Sequence, residues 1–303
     1  KNILASLDIK INNQTDSGLG LTIPSYRVDV TREADIIEEI LRVYGYNNVK
    51  TSPKLNNSIS YAPKPDANKL QNLISNQLAS QGFYEMMANS LTSPDYVEFS
   101  EQIDSKHNVT MLNPLSADLS VLRQTLLFSG LEAVAYNINR KSSDIKLFEF
   151  GNTYHKFDGK YEEQKHFSLL ISGNRNDNNW LLKTKKSDFF YGKGIVQNVL
   201  ERVGLSSYKS RPLENDFFSE GISLQVGKET LVDFGVVKST ITKQFGIKQE
   251  VLYADFNWDA MLKFIKNKTL KVSSLTKFPS VKRDFSLLLD KKLTFNDVFQ
   301  FAF

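Results

Sequence analysis

Four carboxylates crowd into one short stretch, the run PSYRVDVTREADIIEEILRVYGYNNV from Pro24 to Val49. Asp29 precedes an amphipathic pattern, and Asp35, Glu38 and Glu39 ride on it. Residues three and four apart are neighbours on a helix, so these three share one side of a single turn. Acids in a first helical turn favour the positive end of the macrodipole, and Glu38 can pair with Arg42 one turn on. That accounts for Glu33, Asp35 and Glu38. It leaves Glu39 and Asp29 adding like charge, which calls for a neutralising group: a hard cation with oxygen ligands, or a basic patch on a partner.

Other chemistries find little support. The chain has no cysteine, which excludes disulfides, thiolate metal sites and cysteine nucleophiles and permits a reducing cytosol. His107, His155 and His166 show no HExxH or other ligand spacing and read as packed or solvated side chains. Gly192–Lys193–Gly194 lacks the spacing of a P-loop or a dinucleotide fingerprint and reads as a strand-to-helix turn, and no G-x-S-x-G is present.

The elements that would position these residues follow from periodicity. The first fifty residues predict a short helix near 2–7, a strand over 8–11, a turn through NNQTDSG and a second strand over 19–23 closed by Pro24. The acid-bearing helix follows, with Thr31 as N-cap, Ile36, Ile37, Ile40, Leu41 and Tyr44 as its apolar stripe, and Gly45 as its stop. Helix, hairpin, helix describes a small winged-helix-like domain over 1–52. Pro53, Pro63 and Pro65 mark 53–66 as a linker. A helix over 67–81, stopped by Gly82, opens a second domain over 67–270. Strands are predicted over 84–91, 109–112, 145–150, 167–172, 222–226, 231–237 and 251–257, with helices over 126–138 and 193–203. Strands outnumber helices and short turns join several of them, so the class is α+β: an antiparallel sheet with packed helices.

Three ordered blocks then carry a resemblance to one family. Pro24, Ser25, Arg27, Asp29, Asp35, Glu38, Glu39, Ile40, Arg42, Tyr44, Gly45 and Tyr46 match a P-S-x-R-x-D…E-E-I-x-R-x-Y-G-Y motif of the phenylalanine-tRNA ligase (phenylalanyl-tRNA synthetase) beta chain. Asn113–Tyr154 carries that chain's N-P-L-S, L-R-x-x-L, N-x-N-R and L-F-E-x-G blocks. KFPSVKRDFSLLLD, Lys277–Asp290, resembles the strand that opens its ferredoxin-like anticodon-binding domain, here begun over 271–303. The resemblance implies a class II synthetase-like core that is an inactive relative of the alpha chain's core, an alpha-chain partner in a heterotetramer, and action with ATP, phenylalanine and its tRNA. It also implies Mg²⁺ held by Asp29, Asp35, Glu38 and Glu39 at the boundary with the alpha chain. Mg²⁺ normally takes only one or two protein carboxylates, so a basic patch on the partner stays open as the alternative.

A class II site needs an Arg on an antiparallel strand to hold the ATP α-phosphate, a Glu two residues later, and a second Arg on a Gly-rich element. The nearest approaches are Lys146 with Glu149, and Gly192–Gly194 with no Arg until Arg202. Lys does not reproduce the bidentate fork of Arg, so no catalytic residue is assigned.

Length and charge set the remaining bounds. At 303 residues, with 41% hydrophobic and 12% aromatic residues, the chain has material for about two cores and little disorder. No apolar run reaches the length of a membrane span and no signal peptide opens the chain, which reads as cytoplasmic. It starts at Lys1 without Met and ends in FNDVFQFAF without a stop signal, as a piece of something longer would. Residues 1–52 hold six bases against seven acids, residues 260–303 nine against three, and the remainder nets −1 within a total of +4. The basic excess lies at the end, where a polyanion could be attracted. A rival reading, a winged-helix DNA-binding regulator, requires a basic recognition helix, and the candidate helix is acidic. A carboxylate-based hydrolase has no convergent His, Lys or Ser to work with.

Overall fold

The structure is a computed structural model that describes residues 1–51, 54, 65–176, 179–266, 274 and 277–302. The expected linker over 53–66 and the expected boundary near 270 fall almost wholly outside the described residues. The chain divides into two compact units, 1–61 and 62–303. No helix among the described residues is long and apolar enough to cross a membrane.

In the first unit α1 (Asn2–Ser6) leads into an antiparallel hairpin of β1 (Lys10–Gln14) and β2 (Leu19–Thr22), then α2 (Glu33–Tyr44). Its small core is Leu4, Ile9 and Val30. Gly45 closes α2 at φ +91, a backbone conformation that a side chain would strain. No residue of α2 is fully buried, and Ile37 and Tyr44 of the predicted stripe are exposed, as is Val43.

The second unit opens with α3 (Ala67–Ser80), where the Asp66 carboxylate caps the first turn by accepting from the N–H groups of Asn68 and Lys69 at 3.1 and 3.2 Å. Then come β3 (Tyr84–Glu85), β4 (Leu91–Thr92), β5 (Val109–Thr110) and β6 (Val121–Leu122), then α4 (Leu127–Asn139). The long pair β7 (Ile145–Phe157) and β8 (Lys160–Ser172) follows, then α5 (Phe189–Arg202), β9 (Lys209–Pro212), β10 (Phe218–Val226) and β11 (Glu229–Val237). The last elements of the sheet region are α6 (Ser239–Gln244), β12 (Val251–Asn257) and α7 (Trp258–Lys266), and α8 (Phe295–Ala302) lies near the end.

Seven strands form the main sheet in the order β3-β7-β8-β12-β11-β10-β9; all neighbours are antiparallel except the short edge pair β3 and β7, which is parallel. Strands β4, β6 and β5 form a separate small sheet. Alternation along the strands sorts side chains into two faces. One carries Phe148, Phe167, Leu169, Leu252, Phe256, Val232 and Phe234 and packs against α3, α5 and α7, with Trp258 fully buried among them. The other carries Leu147, Leu170, Val251 and Tyr253 and packs against Leu127, Phe128, Leu131 and Val134 of α4 and Ile241 of α6. Gly130 lets α4 approach this face, since a Cβ there would stand 2.7 Å from Leu170.

Several expectations are corrected. The predicted strand over 84–91 breaks into two-residue pieces, and 109–112 contracts to Val109–Thr110. The stretch 279–290 carries no strand: nothing among the described residues pairs with it, and a strand without a ladder leaves its backbone to water. Gly192–Gly194 is not a strand-to-helix turn but part of α5, where Gly192 meets the sheet; a Cβ there would lie 2.7 Å from Phe234 and 3.0 Å from Leu252.

Candidate functional site

Local chemistry builds the acidic helix of the first unit. Asp35 lies in the first turn of α2, where the Oδ2 atom accepts from the backbone N–H groups of Thr31 and Arg32 at 3.0 and 2.8 Å, and Oδ1 takes the Arg32 guanidinium at 3.0 Å. Arg32, one residue beyond the predicted Thr31, is the N-cap position. By accepting these bonds the Asp35 carboxylate satisfies backbone N–H groups that a helix start leaves orphaned. The Arg32 guanidinium and the two N–H groups hold the Asp35 carboxyl down at about 2.

Glu39 is gripped on both oxygens, by Arg42 at 2.6 Å and by Arg27 at 3.0 Å. Arg27 also forks onto Asp29, with Nε and a terminal nitrogen at 3.2 and 3.0 Å. Arg42 and Arg27 keep the Glu39 carboxyl below its usual range, and Arg27 does the same for Asp29. The anticipated pair of Glu38 with Arg42 is therefore replaced by Glu39 with Arg42 at i,i+3, and Glu38 stays exposed with no ion pair among the described residues. The neutralising groups that the like charges require are the chain's own Arg27, Arg32 and Arg42. Among the described residues no group of three or more His, Asp or Glu converges as a metal would require. Of the four expected Mg²⁺ ligands, Asp29 and Glu39 are brought together through Arg27, Asp35 is engaged in capping, and Glu38 is exposed. In this arrangement the residues do not fit a bound ion.

The core sheet holds a second polar constellation. Strand pairing puts Glu149, Ser168, Asp255, Asp233 and Ser223 directly opposite one another in sequence across β7, β8, β12, β11 and β10, on the α4 face. His166, one row on, accepts or donates through Nδ1 to Asp255 at 2.7 Å. Burial opposes the charged imidazole, and Asp255 and Asp259 outweigh it, so its pKa is raised. Burial also raises the Asp233 carboxyl. Glu149 Oε2, Ser168 Oγ and Asp233 Oδ1 have no protein hydrogen-bond partner.

Sequence reasoning missed the residue that anchors this row. Arg123, with its side chain 5% exposed, meets Glu149, 1% exposed, at 2.9 Å, and its Nε donates to the Asn152 carbonyl at 3.1 Å. The Ala88 N–H donates to the same Glu149 oxygen at 3.1 Å. Burial still raises the Glu149 carboxyl, with Arg123 offsetting part of the rise. Gly151 makes room for the guanidinium: a Cβ there would stand 2.2 Å from it. The L-R-x-x-L and L-F-E-x-G blocks are thus two halves of one buried contact, Arg123 from the first, Glu149 and Gly151 from the second.

Lys146 and Glu149 are three apart on a strand and so face opposite sides of the sheet. The Lys146 ammonium donates to the Arg175 carbonyl at 3.0 Å and lies over the Tyr191 ring of α5, away from the polar row. Carboxylates and hydroxyls dominate the row, which suits donors and cations better than a triphosphate. The histidines do not converge: His107 and His155 pack against Phe157, and His166 against Asp255.

The sheet and its helices have a class II synthetase-like fold. Two solved structures of pyrrolysyl-tRNA synthetase from Desulfitobacterium hafniense superpose with TM-scores of 0.51 and 0.52 at 15% identity, each covering 66% of this chain and 69% and 67% of theirs. The family model described as phenylalanyl tRNA synthetase beta chain CLM domain matches residues 35–258, and the tRNA synthetase B5 domain matches 1–46. Phenylalanine–tRNA ligase beta subunits of Bacteroides thetaiotaomicron and Porphyromonas gingivalis are 43% and 36% identical over 316 and 311 aligned residues, covering 100% and 98% of this chain. The chain belongs to the phenylalanine–tRNA ligase beta-subunit family, and it spans 38% of the length of these curated relatives. That membership leaves the DNA-binding regulator without support.

Proposed function

We propose that this chain is the supporting, non-catalytic part of a phenylalanine–tRNA ligase, acting beside an alpha chain that binds ATP and phenylalanine and esterifies the tRNA. The observation that carries the reading is the beta-chain family match over 35–258, most of the sheet and its helices. The opposed facing of Lys146 and Glu149 and the carboxylate-rich row agree with it. In this reading the first unit is a winged-helix-like domain, the residues after 270 begin a ferredoxin-like anticodon-binding domain, and the complex is a cytoplasmic heterotetramer. Mg²⁺ held by Asp29, Asp35, Glu38 and Glu39 at the boundary with the alpha chain is part of the same proposal. Binding there requires Arg27 and Arg42 to leave Glu39, so Mn²⁺ should broaden the NMR signals of α2 only when the alpha chain is present; no broadening in the complex would remove the assignment.

The decisive test is co-purification with the matching alpha chain, followed by aminoacylation with and without this chain. Charging should require both, and this chain alone should show no phenylalanine-dependent exchange of pyrophosphate into ATP. Exchange by this chain alone would overturn the reading.

A further inference from the structure

Folding gathers positive charge that is diluted along the sequence. Three loops meet at the end of the sheet where Ile145, Ser172 and Val251 pair. The described residues of 140–146, 173–188 and 243–250 together hold nine Lys or Arg against three acids, a local net of +6 within a middle region that is nearly neutral overall. Gln249 Nε2 donates to the Ser143 carbonyl and to Ser172 Oγ, each at 2.7 Å, and the Asn174 N–H donates to Asp144 at 2.8 Å, so the loops are locked to one another. Arg175 pins the base of the longest loop: its N–H and Nε donate to the Lys185 and Lys186 carbonyls at 2.8 and 3.1 Å, and its guanidinium pairs with Asp188.

The bases are available. Lys141, Lys183, Lys185, Lys186, Lys243 and Lys248 are exposed and make no ion pair among the described residues. Between the loops lies a cleft of about 400 Å³ whose lining includes Lys186, Lys248 and Ser187 together with the acids Asp144 and Glu250. Ser187 is 7% exposed and its Oγ has no hydrogen-bond partner, a buried hydroxyl left for a ligand oxygen. Aromatic faces stand among the cations: Trp180 is 94% exposed, Phe190 77% and Tyr136 57%, the last with the Arg140 guanidinium 3.4 Å from its ring centre.

We infer that this end of the core sheet is a binding surface for single-stranded RNA, the loop cations taking backbone phosphates and Trp180 stacking on a base. Cations track a polyanion, and an open indole gives any base a face to stack on; together they distinguish a nucleic acid from a simple anion. The bland alternative, a scattered solvated surface, does not account for an almost fully exposed Trp180 in the same loop as Lys183, Lys185 and Lys186, none of which makes an ion pair among the described residues. The inference stands on this charge and ring layout and goes beyond the supporting role proposed above.

The test uses the full chain and a fluorescein-labelled 20-nucleotide single-stranded RNA of mixed sequence, read by anisotropy between 50 and 200 mM KCl without any alpha chain, so that a failure here leaves the alpha-chain reading intact. The variant Lys183→Glu/Lys185→Glu/Lys186→Glu should bind at least about tenfold more weakly, and its salt slope should fall by about 2, three phosphate contacts at about 0.7 each. Trp180→Ala should lose about tenfold in affinity with the salt slope kept. These side chains are exposed, so an unchanged circular dichroism spectrum shows the fold retained. Binding by the triple variant equal to wild type would overturn the surface, as would a loss seen only in Lys277→Glu/Lys282→Glu/Arg283→Glu, which tests the basic final segment. An unaffected Trp180→Ala would overturn the stacking.

Discussion

Replacing Arg123 by Ala should be among the most damaging single changes available in the core. Both partners of the Arg123–Glu149 pair are buried, with 5% and 1% of their side chains exposed and 2.9 Å between them. Removing the guanidinium leaves Glu149 with one oxygen held by the Ala88 N–H and the other with no partner. Breaking a buried pair from one side costs about 3–5 kcal/mol, because the desolvated charge that remains is uncompensated. For a domain of this size that is a fall in Tm of about 10 °C. The pH dependence has a definite sign. Burial raises the Glu149 carboxyl in the folded state even with Arg123 present, and without it the rise is larger. An acid with a raised folded pKa contributes stability that is present at low pH and lost as pH rises through that pKa. The deficit of Arg123→Ala relative to wild type should therefore shrink from pH 7.5 to pH 5. Urea unfolding followed by the fluorescence of the buried Trp258 supplies the midpoints. The double variant Arg123→Leu/Glu149→Leu, which removes both charges, should recover most of the loss. A deficit under about 1 kcal/mol for Arg123→Ala, or a double variant as unstable as the two single variants summed, would refute the account.

Two further outcomes follow from the geometry. Gly192→Ala drives a methyl to 2.7 Å from Phe234, so α5 must lift off the sheet, and stability should fall by about 1–3 kcal/mol by urea denaturation; Gly194→Ala, with nothing within 4 Å, serves as its control. The Asp35 carboxyl should titrate near 2 in a carbon-detected NMR experiment, since Arg32 and two backbone N–H groups hold it there. Its folded pKa lies below the unfolded one, so its contribution to α2 is complete above about pH 4 and fades as pH falls towards 2, while Asp35→Asn should weaken the start of α2 at neutral pH.

The order of elements was readable from pattern, and the reasons for the exceptions are physical. Helix α2 announced itself through Ile36, Ile40 and Leu41 and the stop at Gly45, yet its ion pairs did not. Glu38 and Glu39 both lie within a turn of Arg42, and only the approach of Arg27, from the segment before the helix, decides which is held. Strands β7 and β8 run well past their predicted spans because Thr153–Phe157 and Lys160–Gln164 pair chiefly with each other, and their largely polar residues leave no apolar alternation to read. Helix α7 follows β12 without a turn residue between Asn257 and Trp258, so no breaker marks its start. The pair of Arg123 and Glu149 joins positions 26 apart in sequence, and nothing in either motif alone says that they touch. The cation-rich loops net close to zero in a linear count and become visible only when strand ends bring them side by side.

Over residues 160–165 the outer flank of β8 has no strand partner among the described residues, since β12 stops pairing at His166, whereas the β7 flank is covered where the Tyr154 N–H donates to the Arg123 carbonyl at 2.9 Å. Bare flanks of that kind invite another polypeptide to zip on and begin a fibre. Here Lys156, Lys160, Glu162 and Glu163 stand exposed along the hairpin, and a newcomer laying the same sequence alongside would bury unlike and like charges in mismatched order. The β8 rim resists such pairing because it is written in lysine and glutamate; rewritten in valine and isoleucine, it would become a seed for clumping.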